Sequence, residues 1–208
     1  MSRETGIPRG GMLEWGMPRS PVADTAERIL DLAQSLVQTR GYNGFSYADI
    51  AQELGIRKAS LHHHFATKED LGRELMARYR RRFGEALAAI DAGGKEPRRR
   101  LQAYAGLYAA VLRDGDRMCL CGMLAADFTT LPRTVRDEVR RFFDANEEWL
   151  AGVLREGRRS RSLKFEGTPE NVARLLLDGL EGAMLVARSY GDPARFETTA
   201  RRLLAALA

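Results

Sequence analysis

Between Ile56 and Thr67 the chain carries Arg57, Lys58, Ser60, His62, His63 and His64 and no acidic residue. Guanidinium, ammonium, hydroxyl and imidazole groups all donate hydrogen bonds to phosphate oxygens or base edges. A short helix that turns them outward has the chemistry of a helix in a DNA major groove. Ile56, Leu61 and Phe65, interleaved with them, supply the opposite, buried side. A metal site is the competing reading of the three histidines. Successive residues on a helix point about 100° apart, so His62, His63 and His64 do not converge on one ion, and no metal or cofactor is expected.

Such a helix needs a platform, and the residues before it provide one. Ile50, Ala51 and Leu54 share one face of a preceding helix, with Ser46 as its N-cap and Asp49 at the capping-box position. Gly55 is suited to the left-handed residue of a sharp turn. The two helices and their turn have the layout of a helix-turn-helix reader. Within it Arg57, Lys58, His64 and Lys68 are expected to contact phosphate and Ser60 and His63 base edges. Ser46, Tyr47 and His62 complete the DNA-facing set. A helix opening at Asp24 and ending at Gly41 buries Ile29, Leu32, Ala33, Leu36 and Val37, and Tyr42 and Phe45 plug the base of this three-helix unit.

The string DIAQELGIRKASLHHHFATKEDL resembles the DNA-binding domain of the tetracycline-repressor (TetR) family of bacterial regulators. It follows that family's order of Gly, aliphatic, two polar residues, small residue, Ser or Thr, Leu, aromatic, variable, His or Tyr, Phe, then Lys-Glu-x-Leu. The resemblance is specific over about residues 25–75 and architectural beyond. Arg57 departs from it, standing where the family usually has a Ser or Thr cap, as does His62, where a Tyr often touches the DNA backbone. The resemblance implies an all-α protein: an N-terminal helix-turn-helix domain and a C-terminal helical bundle for ligand binding and dimerisation. It also implies a homodimer, paired through the last two helices, on a palindromic double-stranded DNA operator.

A long helix from about Lys68 to Ile90 follows the reader, with Leu71, Leu75, Tyr79, Phe83 and Leu87 every four residues. From Pro97 onward the apolar stripes widen and gain aromatics, as in a bundle. One helix buries Leu101, Tyr104, Ala105, Tyr108, Val111 and Leu112; a second, roughly 118–128, contributes Met123, Leu124 and Phe128. A third, starting near Pro132, aligns Val135, Val139, Phe142, Phe143, Trp149, Leu150 and Val153 with Asn146 among them. The helix opened by Thr168-Pro169-Glu170 is apolar nearly all round, and the last, opened by Asp192-Pro193, covers only one side of it. The remaining side calls for a second subunit, with Gly179 and Gly182 allowing close approach.

Tyr104, Tyr108, Phe142, Trp149 and Met184 are expected to line an apolar or aromatic effector site, with Asn146 as polar anchor, because binding cavities are mostly apolar with a few orienting polar groups. The alternative is a buried Asn146 satisfied within the protein. Cys119 and Cys121 diverge by about 200° on a helix, so they suit small buried hydrophobes better than a disulfide, while an oxidant- or electrophile-sensing thiol is the other reading.

No phosphate loop, nucleophile elbow or Glu-x-x-His pair accompanies these residues, and an enzyme is not expected. The 208 residues are 44% hydrophobic with a formal net charge of +5, which favours a polyanionic partner. Residues 24–70 nevertheless hold five basic against seven acidic side chains, so local placement, not domain charge, carries DNA binding. Without an apolar run near 18 residues or an apolar N-terminal core, no membrane association is expected and the protein is placed in the cytoplasm. The expected organisation is a disordered, Gly- and Pro-rich arm over 1–23, a DNA-binding domain over 24–70 and a ligand-binding and dimerisation domain over 71–208. Arg3, Arg9 and Arg19 either reach a groove or belong to a tail without function. The sequence reads as a repressor released from its operator by a small effector. A helical binding protein with a vestigial reader is the alternative from another class.

Overall fold

A computed structural model describes residues 25–94, 96–115 and 117–207; the arm expected over 1–23 and the cap expected at Asp24 lie outside them. Nine α-helices, two short 3-10 turns and no strand are found among the described residues. Helix α1 (Thr25–Arg40) buries Ile29, Leu30, Ala33, Leu36, Val37 and Gln38, and stops at Gly41, whose φ of 81° suits glycine. A side chain at Gly41 would also meet Asp127 Oδ2 at 2.8 Å, so chain reversal and close approach coincide there. After a 3-10 turn (Tyr42–Gly44), α2 (Tyr47–Leu54) opens with the Ser46–Asp49 capping box and ends at left-handed Gly55. Helix α3 (Lys58–His64) follows, with only Leu61 among its own residues buried. Phe45, Ile50, Leu61 and Phe65 are nearly or fully excluded from solvent, each contributing about 1.5–3 kcal/mol of burial free energy to this small core.

Helix α4 (Lys68–Ala92) runs from the reader into the bundle and begins with a second capping box, Thr67–Asp70. The bundle comprises α5 (Pro97–Arg113), α6 (Leu120–Ala126), α7 (Arg133–Arg159), α8 (Pro169–Ser189) and α9 (Pro193–Ala205). Helix α6 is shorter than the expected 118–128, because a 3-10 turn at Phe128–Thr130 tightens its end. Helix α8 packs most extensively on α7 and α9, as its wide apolar surface requires. Gly179 belongs to the α9 side: a Cβ there would meet Leu203 Cδ1 at 2.9 Å, so it serves packing within the chain and not the open side. Gly182, by contrast, faces open space. Leu175, Leu185, Val186 and Tyr190 leave a surface of α8 uncovered, from 45% to 66% exposed.

Candidate nucleic-acid interface and ligand core

The reader is held by local chemistry at three points. Ser46 Oγ accepts from the Asp49 N–H while the Asp49 carboxylate accepts from the Ser46 N–H, closing both ends of the α2 cap. The Ser46 hydroxyl and then its N–H, both donating to the Asp49 carboxylate, hold that carboxyl below its ordinary range. Arg57 occupies the N-cap of α3 and makes no side-chain cap bond, so that helix start is left to its backbone and to Leu61 beneath it. Arg57, Lys58, His62 and His63 are exposed, and Ser60 and His64 half-buried. Among the described residues no ion pair or side-chain hydrogen bond involves Arg57, Lys58 or Ser60, so their donors remain free for an outside acceptor. His62 is partly engaged: its Nδ1 lies 3.0 Å from the Ala66 carbonyl oxygen and its ring tilts against Tyr47. His63 and His64 meet edge to face at 5.5 Å.

Two residues of the expected DNA-facing set are turned inward. The Tyr47 hydroxyl donates to the carbonyls of Phe65 (2.9 Å) and Thr67 (2.6 Å), clasping the start of α2 to the α3–α4 junction. Burial, with Asp70 and Tyr42 adding to it, pushes that phenol up to about 12. Lys68 donates through Nζ to the Phe45 carbonyl and sits over the Phe45 and Tyr42 rings, 4.1 and 4.8 Å from their centroids. Burial draws its pKa down, with Asp49 and Asp127 opposing. Both residues brace the reader from within.

The residues expected to line the ligand site do converge between α4, α5, α7 and α8. Tyr104, Tyr108, Phe142, Asn146 and Met184 are all at most 2% exposed. Trp149 stacks on Tyr104 at 5.4 Å and donates through Nε1 to Asp91. Their polar groups close on one another. Tyr104 donates to Asn146 Oδ1 (2.9 Å), Asn146 Nδ2 to the Phe142 carbonyl (2.8 Å), and the Tyr104 and Tyr108 hydroxyls lie 3.1 Å apart. The aromatic rings of Tyr79, Phe83 and Phe142 fill the space beside them. Cys119 and Cys121 are buried at the start of α6. The Tyr79 hydroxyl is 3.9 Å from Cys119 Sγ, and the Cys119 N–H donates to Met184 Sδ. An open groove of about 300 Å³ lies elsewhere, between α5 and α9, lined by Ala105, Ala109, Phe196 and Leu204 with Arg98 and Arg201 at its rim.

Helix α1 is bonded to this interior. Gln38 Nε2 donates to the Met118 carbonyl (3.0 Å) and the Met118 N–H donates back to the Gln38 carbonyl (3.1 Å), immediately before Cys119. Arg188 of α8 donates to the Thr39 carbonyl, and the Tyr42 N–H to Asp127. Arg78 of α4, 3% exposed, holds Glu27 and Asp31 of α1 at 2.9 and 2.8 Å. Gly72 lets α4 pass between Tyr42 and Val135: a Cβ would stand 2.9 and 3.0 Å from them.

Sequence reasoning missed this strap, because Gln38 and Met118 are 80 residues apart and neither type advertises a partner. The Thr67–Asp70 box, in contrast, had a readable T-x-x-D signal. Among the described residues no group of three or more His, Cys, Asp or Glu side chains is placed to hold a metal ion.

Comparison with known proteins bears on both halves. The profile described as "Bacterial regulatory proteins, tetR family" matches residues 29–75, and "Tetracyclin repressor-like, C-terminal domain" matches residues 97–203. The chain is 26% identical over 174 residues to the "HTH-type transcriptional repressor DhaR" of Mycobacterium sp. strain GP1, covering 81% of this chain and 83% of that protein. It is 28% identical over 180 residues to the "Transcriptional regulator AcuR" of Cereibacter sphaeroides, covering 83% and 81%. A crystal structure of a TetR-family transcriptional regulator from Agrobacterium tumefaciens superposes with a TM-score of 0.85 at 38% identity, covering 88% of this chain and 97% of that one.

Proposed function

The chain belongs to the TetR family of bacterial transcriptional regulators, and from that premise we propose that it is a repressor released from a palindromic operator by a small apolar or aromatic effector. It is a ligand-responsive DNA-binding regulator, as members of this family are; they bind operators and effectors and act as dimers. The domain division proposed is 24–70 for the DNA reader and 71–208 for ligand binding and dimerisation. Arg57, Lys58 and His64 serve phosphate, and Ser60 and His63 serve base edges. Tyr47, Lys68 and Ser46 hold the reader in shape. Tyr104, Tyr108, Phe142, Asn146, Trp149 and Met184 form the wall that an effector displaces. The uncovered surface of α8 supports dimerisation through α8 and α9, burying Leu175, Leu185, Val186 and Tyr190.

The observation that carries this reading is the reciprocal Gln38–Met118 pair, which ties α1 under the reader to the chain beside the interior cluster. An effector that shifts the start of α6 loads that pair. The dimer then favours a conformer whose two α3 helices no longer match successive major grooves about 34 Å apart. Such a protein works in the cytoplasm, where the chromosome is. No helix among the described residues is long and apolar enough to cross a membrane.

Sequencing of genomic fragments retained by the purified protein tests the reading. A palindromic site, bound more weakly as salt rises, is the expected result. Binding that ignores both salt and sequence would favour the helical binding protein with a vestigial reader.

A further inference from the structure

Helix α8 brings one more polar group into the bundle, and it is treated unlike the others. Both carboxyl oxygens of Glu181 are sealed from solvent, and among the described residues no N–H or O–H donor reaches either; the Cys119 thiol, a weak donor, is the group that bears on the carboxyl. Within electrostatic reach of it are the Cys119 and Cys121 thiols at the start of α6, the Tyr79 phenol of α4 and the Tyr104 and Tyr108 phenols of α5. Of these the Cys119 thiol acts on the carboxyl, and no Arg, Lys or His does. Gly122 gives the carboxyl its place: a Cβ at that position would lie 2.5 Å from Glu181 Oε2. Met118 and Met184 border the same space, Met118 Cε at 3.3 Å from that Cβ position and Met184 Sδ against the Cys119 N–H. Unbranched thioether chains rearrange more readily than branched ones, so these walls can yield to a guest.

A buried carboxyl without a partner is expensive, and natural interiors seldom keep one without a use. The amide and phenol groups of the effector wall have partners within it. Asn146 is spent on Tyr104 and Phe142, and Tyr104 on Asn146 and Tyr108. The free hydrogen-bonding capacity is therefore at Glu181. We propose that the Glu181 carboxyl is the recognition group of the effector site, and that the effector presents an O–H or N–H donor on an apolar body. The inference rests on the reading of the C-terminal bundle as the effector domain and moves its polar anchor from Asn146 to Glu181. A carboxylate or phosphate on the effector would meet a carboxyl with no cation to balance it, so alcohols, phenols and amines fit and anions do not. Met118 lies at the edge of this space and bonds to Gln38, so displacing it to admit a guest pulls on α1.

Burial keeps the Glu181 carboxyl well above the ordinary carboxylate range, hence neutral in the fold. The unfolded chain releases that proton near 4.5. Raising the pH through this value therefore favours the unfolded state, and the stability lost grows until the folded pKa is reached.

The test uses the full-length dimer and three probes of one size: benzyl alcohol, benzylamine and benzoate. Titration followed by protein NMR should show the alcohol and the amine binding and benzoate not. Glu181→Leu should weaken both by about ten- to a hundredfold, the worth of a hydrogen bond to a carboxyl. Glu181→Gln, which keeps a donor and an acceptor but has no acidic proton to give the amine in forming an ion pair, should retain the alcohol and lose the amine. The same Gln variant should melt higher than the wild type at neutral pH and less steeply with pH above about 5, confirming a folded protein and a neutral buried acid. Benzoate binding as well as the alcohol, no binding by any probe, or equal binding by the Leu variant would each overturn the proposal. Operator release is read in parallel. Probe binding at Glu181 without release upholds the site and removes the effector-driven mechanism. Release that Glu181→Leu does not alter leaves the mechanism standing and removes Glu181 from it.

Discussion

The outer face of α3 and the interior between α4, α5, α7 and α8 treat polar side chains in opposite ways. On α3, Arg57, Lys58 and Ser60 have no side-chain partner among the described residues, at the surface, where an unpaired donor costs almost nothing. In the interior Tyr104, Tyr108 and Asn146 are paired among themselves, because an unpaired group there costs a large share of a protein's whole stability. A functional surface is thus visible as many free groups together. A functional interior is visible only as an exception, and among the buried carboxyl, amide and phenol groups here the exception is Glu181. Tyr47 and Lys68 mark the border: polar types on the reader, used as the interior uses them.

The largest effect expected from this contrast is at Phe142, whose ring lies 5.0 Å from Phe83 and 5.5 Å from Tyr79 with no exposure. Phe142→Ala should cost about 3–5 kcal/mol of stability, read by thermal or urea melting. A near-native melt would mean that the interior is looser than its packing indicates, and the two regions less different.

Next in size is Lys68→Ala. The ammonium is engaged by the Phe45 carbonyl and two rings, so its loss should lower stability by about 1–3 kcal/mol while the slope of log affinity against log salt stays unchanged. A flatter slope at full stability would return Lys68 to the DNA-facing set.

Ser46→Ala removes one half of the α2 cap and should destabilise by about 1 kcal/mol, seen first as faster amide exchange in α2.

Smallest in stability is Lys58→Ala, expected within about 0.5 kcal/mol of wild type. It should still weaken binding to all DNA sequences and reduce the salt slope by about one unit. A sequence-selective loss would make Lys58 a base reader instead.

Much of the fold was legible in residue order. The Ser46–Asp49 box, Gly55, Gly41 and the Thr168 and Asp192 caps bound their helices as expected, because each signal acts over three or four residues. The end of α6 was misjudged, since tightening into a 3-10 turn leaves no distinctive residue behind. That these residues cluster in the interior was also readable: Tyr104 and Tyr108, four apart, share a helix face, and so do Phe142, Asn146 and Trp149. Which polar group in that core stays free was not. Helix α8 is apolar nearly all round, so periodicity assigns Glu181 no side, and charge at its spacing is more often that of a solvated face.

The sequence by itself determined the helices, their caps, the reader motif and the family, since all of these depend on neighbours a few residues away or on a short ordered pattern. Only the tertiary structure decided that Lys68 and Tyr47 turn inward, that Gly179 serves α9, that Gln38 is bonded to Met118, and that Glu181 is sealed from water without an N–H or O–H donor among the described residues. The physical reason is common to all four. A side chain's partner is set by the meeting of distant segments, and whether a polar group is satisfied is a property of that meeting, not of the residue.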